Sequence, residues 1–82
     1  MKFMVEFRPK PGREDSLRSA FEERGPNRTE GVSLKDAWIA VHTPVIFVLS
    51  ESASLEQMDK ACQAWSEFGT YQIHPVHDIE EI

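Results

Sequence analysis

Val45-Ile46-Phe47-Val48-Leu49 is an unbroken run of large apolar residues. In an extended strand, side chains alternate between two faces, so this run offers apolar groups to both. Such a strand is usually central and covered on both sides. The rest of the chain has to supply those covers.

Upstream of the run, Thr43-Pro44 is a tight connection. Before it, Val32 to His42 reads as extended. Ala37, Ile39 and Val41 fall on one face, with Leu34, Asp36, Trp38, Ala40 and His42 on the other. At the start, Phe3, Val5 and Phe7 alternate with Met4, Glu6 and Arg8, which is strand periodicity. Pro9-Lys10-Pro11-Gly12 ends that strand. From Glu14 the period lengthens: Leu17, Ala20, Phe21 and the stem of Arg24 recur at three and four residues. Glu14 and Asp15 favour the positive end of the helix dipole. Gly25-Pro26 closes this helix, and Asn27 to Gly31 is a polar connection.

Downstream of the run, Ser50 to Ser54 is a serine-rich turn. Ser54 with Gln57 reads as a capping box. Leu55, Met58, Ala61, Cys62 and Trp65 follow at helical spacing, Phe68 lies near the end, and Gly69 is expected as the cap. Thr70 to Val76 is a last strand, with Tyr71 and Ile73 on one face and Gln72 and His74 on the other. Pro75 suits an edge position. Asp78 to Ile82 is an acidic tail.

The order is β-α-β-β-α-β, a single α+β ferredoxin-like domain over 1–82. That arrangement predicts a four-stranded antiparallel sheet in the order 4-1-3-2, with both helices on one face. The other face then lacks a cover, yet the central run demands one. A second copy of the chain is the expected cover. Length agrees, because 82 residues bury a smaller fraction of their surface than larger domains do. Small domains gain stability from disulfides, metals or association. Cys62 is the single cysteine, so an internal disulfide is excluded.

The net charge is −5 and the pI about 5.1. No two Lys or Arg are adjacent, so no basic face for nucleic acid is expected. No apolar stretch approaches the ~20 residues of a membrane span. The first residues lack a signal-peptide core, and a cytoplasmic location is expected.

The chain also resembles a known family. The matching stretches are Lys2-Phe3-Met4-Val5, Pro11-Gly12, Glu30-Gly31-Val32, Trp38, Phe47 to Glu51, Trp65 and Tyr71 to Val76. In order and spacing they resemble the small bacterial proteins grouped as domain of unknown function 3303, in the dimeric α/β-barrel superfamily. The resemblance implies homodimers whose sheets face each other around an internal cavity. It implies no established activity, although the wider superfamily includes cofactor-independent oxygenases, isomerases and haem-degrading enzymes. An Asp commonly stands in that pattern where this chain has His42, and an Arg where it has Val45.

The open face is expected to carry Met4, Glu6 and Arg8, then Asp36, Trp38, Ala40 and His42. Ile46, Val48 and Ser50 follow from strand three, with Gln72 and His74 from strand four. Met4, Glu6, Trp38, His42, Val48 and His74 are the candidate ligand contacts for a small apolar or aromatic molecule. The alternative is that these residues simply pack the dimer. His42, His74 and Glu6 are candidate proton-transfer groups; the competing reading is solvated edge histidines and a Glu6–Arg8 ion pair. Trp38 could stack on a ligand or plug an interface.

No metal site is expected. His74 and His77 point to opposite faces, and three strand spacings put His42 roughly 14 Å from His74. No cofactor is expected either, because no phosphate-binding glycine loop or paired-cysteine motif is present. Cys62 and Trp65 read as core.

Overall fold

The computed structural model describes residues 1–24 and 30–81, with Arg24 described as backbone only. The Gly25-Pro26 cap, the stem of Arg24 and most of the following polar connection therefore lie outside the described residues. The elements are β1 (Lys2–Pro9), α1 (Glu14–Arg24), β2 (Val32–Ile39), β3 (Ile46–Ser52), α2 (Leu55–Gln63) and β4 (Gly69–Val76), with a 3-10 turn at Ile79–Glu81. The sheet order is β2-β3-β1-β4 and every pairing is antiparallel. This is the ferredoxin-like α+β fold, with β1 and β3 central and the proline-bearing β4 at an edge.

Both helices cover one face. Met58 and Cys62 of α2 pack on Phe3 and Val5, with Val32, Val48, Tyr71 and Ile73 around them. Ala20 and Leu17 of α1 pack on Phe7, with Ile46, Trp65, Phe68 and Tyr71. Phe3 is fully enclosed. Burying such a side chain contributes about 1.5–3 kcal/mol.

Register corrects the expected contents of the open face. Directly paired residues of antiparallel strands point the same way. Phe3 pairs with Ser50, Val5 with Val48 and Phe7 with Ile46. Ile46, Val48 and Ser50 therefore lie under the helices, and Val48 is part of the core. Phe47, Leu49 and Glu51 take the open face instead, opposite Glu6, Met4 and Lys2. A strand apolar at every position carries no alternation, so its phase is unreadable from hydropathy alone.

Strand β2 holds a second correction. Its register shifts between Leu34 and Asp36. Leu34 pairs with Ser50 on the helix side, whereas Asp36 pairs with Leu49 on the open side. One extra residue, Lys35, is accommodated there, and it flips the phase of the strand from Asp36 onward. The strand ends at Ile39, so His42 sits in the loop rather than on the sheet.

The end of α2 is the third correction. The helix stops at Gln63, Ala64 is its C-cap, and Trp65 and Phe68 lie in the turns beyond it. Gly69 opens β4 opposite Pro9 rather than capping the helix. A Cβ there would strike the Arg8 carbonyl, so glycine is required for close strand approach. The start of α2 follows expectation at the Ser54 N-cap, while the Gln57 side chain reaches back to the residues before Ser54 rather than to the Ser54 N–H of a full capping box. The Ser54 side chain accepts from the Gln57 N–H at 3.2 Å. The Gln57 Oε1 accepts from the Ala53 N–H at 3.3 Å and from the buried Ser52 hydroxyl at 2.8 Å.

Candidate functional site

Two cross-strand rows make up the middle of the open face. The first runs Asp36, Leu49, Met4, His74 across β2, β3, β1 and β4. The second runs Trp38, Phe47, Glu6, Gln72 in the same order. Trp38, Phe47, Leu49 and Met4 thus form one apolar block over three strands. Phe47, Leu49 and Met4 are half-buried, while Trp38 keeps 48% of its surface in solvent. Large apolar groups gathered on an open sheet face mark a contact or binding surface.

A polar group adjoins the block where β1 meets β4. Glu6 Oε2 accepts from Arg8 Nη1 at 3.2 Å. Glu6 Oε1 stands 3.8 Å from His74 Nε2. That nitrogen is shielded from solvent and has no hydrogen-bond partner, an uncommon state for a polar atom. Glu6 is therefore a carboxylate held between a guanidinium and an imidazole, beside an apolar bed. Such a group can orient a hydroxyl or carboxyl of a bound molecule. It can also pass a proton through His74, because an imidazolium there would face the Glu6 carboxylate.

Of the expected site residues, Met4, Glu6, Trp38 and His74 share the open face. Val48 is on the opposite face. His42 lies in the exposed loop beyond β2, off the sheet and on the far side from β4. Phe47 and Leu49 were missed. One signal could have found them: Glu51 shares their phase and cannot lie under α2 without a partner. Ser50 and Ser52, both buried, are small enough to lie beneath that helix.

Among the described residues, no three His, Cys, Asp or Glu side chains are grouped to hold a metal ion. Cys62 is buried and its thiol is pushed up to about 11, first by burial and then by the Asp59 carboxylate. A thiol so protonated is a poor nucleophile. Among the described residues, no helix is long and apolar enough to cross a membrane.

The family described as Domain of unknown function (DUF3303) matches residues 1–82. The chain belongs to that family. A search of the curated proteins and a search of the solved structures each found no match. Membership in DUF3303 assigns no reaction, so chemistry has to be argued from the sheet face itself.

Proposed function

We propose that this chain forms a homodimer through its open sheet face and holds a small apolar or aromatic molecule between the two sheets. One observation carries the reading: an apolar block of Trp38, Phe47, Leu49 and Met4 lies directly beside the Glu6–Arg8–His74 group. A binding site pairs an apolar wall with a few placed polar groups. The likeness to dimeric α/β barrels supplies the form, two facing sheets with space between them. In this arrangement Trp38 and Phe47 stack on the guest, while Glu6, Arg8 and His74 fix its polar end.

Light scattering tests the dimer, whose mass is twice the 9.4 kDa of the chain. Phe47→Asp places a charge in the apolar block and is expected to give monomers. Binding is tested with naphthol as probe, read by Trp38 fluorescence in a Trp65→Phe background. Quenching that saturates, and that weakens with Glu6→Gln, supports the site. A dimer in which naphthol leaves Trp38 unchanged leaves only a packed interface.

A second reading has its own observation, the shielded and unpartnered His74 Nε2. In that reading the chain is a cofactor-independent enzyme, an isomerase or oxygenase acting on a small aromatic substrate. His74 takes the substrate proton and Glu6 stabilises the imidazolium. NMR titration of His74 with and without naphthol separates the two. A His74 resonance indifferent to a bound phenol would count against proton transfer.

A further inference from the structure

The Glu6 carboxylate is held unevenly by its two neighbours. Oε2 accepts from Arg8 Nη1 at 3.2 Å. Oε1 stands 3.8 Å from His74 Nε2, too far for a hydrogen bond. That nitrogen is shielded from water and has no partner, a costly state for a polar atom. The group in front of it is a carboxylate, so a proton on Nε2 would turn the gap into an imidazolium–carboxylate pair. The movement needed is small, and the side chains of His74 and Glu6 keep 42% and 27% of their surface in solvent. An imidazole takes up such a proton between about pH 5 and pH 8.

The charges around His74 single out Glu6 as its counter-ion. Strand β1 is the neighbour of β4. It sets Met4 opposite His74, with Lys2 and Glu6 on the two diagonals. Lys2 Nζ is tied to Asp78 at 3.0 Å. Along β4, the same face carries Thr70, Gln72 and Val76, all uncharged. Beyond the strand, His77 stands 3.9 Å from Glu81. Both helices, with Asp59 bound to Tyr71, lie on the other side of the sheet.

Protonation changes what the face attracts. With His74 neutral, the charges of Glu6 and Arg8 cancel. With His74 charged, one carboxylate serves two cations, and Arg8 carries positive charge that Glu6 no longer balances. A guanidinium presents five donors in a planar fork that fits a carboxylate. Phe47 pairs with Glu6, so Arg8 lies diagonal to Phe47 across β1 and β3. A guest whose ring rests on Phe47 and Trp38 can therefore extend an anionic end to Arg8. We infer, on the reading of this face as a binding site, that it takes aromatic carboxylates, each together with a proton on His74. By linkage, the bound anion strengthens the hold on the proton as much as the proton strengthens the hold on the anion. A neutral phenol gains little from the added charge.

Isothermal titration calorimetry of the unmodified chain tests this with naphthoate and naphthol as probes. Naphthoate stays ionised and naphthol stays neutral across the titration range of an imidazole. Naphthoate binding is expected to tighten about tenfold from about pH 8 to about pH 6. Net proton uptake should accompany it, read from buffers of different ionisation heat. Naphthol binding is expected to change less than twofold. His74→Gln should make naphthoate binding indifferent to pH, whereas His42→Gln and His77→Gln should keep the dependence. Glu6→Gln leaves Arg8 unbalanced without any proton. It should bind naphthoate at about pH 8 as tightly as the parent chain does at about pH 6. Circular dichroism confirms that each variant is folded. Three results overturn the proton-coupled anion and leave the binding face standing: naphthol bound but not naphthoate, naphthoate bound equally at every pH, or a pH dependence that survives His74→Gln. Neither probe bound at any pH overturns both.

Discussion

Phe3 shows how much one residue carries. Its ring is fully enclosed between Val5, Met58 and Cys62. Truncation leaves a cavity that a small domain has little mass to refill, so Phe3→Ala is expected to cost about 3–5 kcal/mol, read from urea unfolding. Cys62 in the same cluster is expected to react slowly with iodoacetamide near neutral pH and rapidly in denaturant. Fast labelling of the folded chain would contradict its burial. The pH dependence comes from the same shift. The folded chain holds the thiol proton up to about 11, against 9.0 for a free thiol. Stability from this group is complete below about pH 9 and is lost as pH rises toward 11. Tyr71, raised by burial and then by its bond to Asp59, acts in the same direction. Urea midpoints should fall across that window less steeply in Cys62→Ala.

At the scale of elements, α2 depends on its first turn. The nine residues Leu55–Gln63 are too few for a helix to persist alone in water, so capping and packing hold it. Ser54→Ala removes the acceptor of the Gln57 N–H and should cost about 1 kcal/mol, with Ser54→Asp recovering most of it. Equal urea midpoints for Ser54→Ala and the parent chain would show that packing alone suffices. Strand β4 depends on Gly69, where any side chain meets the Arg8 backbone. Both dependences sit at ends of elements, for different reasons: Ser54 gives a partner to an N–H that the first turn of α2 leaves open, and Gly69 leaves room for the Arg8 carbonyl.

For the whole molecule, the two faces of the sheet have different fates. One face is closed by Met58, Cys62, Ala20 and Leu17, while the other presents Trp38, Phe47, Leu49 and Met4 to solvent. If a second copy closes that face, stability is tied to association. The thermal midpoint should then rise with protein concentration. A midpoint independent of concentration over two decades would show that the open face is covered by nothing in solution.

Element order, strand order and the covered side of β1 and β4 were legible in the sequence, because alternating residues declare their face and Pro75 declares an edge. Glu6, Met4, Trp38 and His74 were placed together for the same reason. Three things needed the fold. The phase of β3 came from its pairing with β1, since a strand apolar throughout has no preferred side until its neighbours impose one. The flip after Leu34 came from an irregularity that accommodates one residue without any marker in composition. The position of His42 came from where β2 ends, which its hydropathy does not announce. Within an unbroken strand local alternation reports which residues share a face, but only pairing across strands decides which face that is and where the alternation breaks, as it does after Leu34.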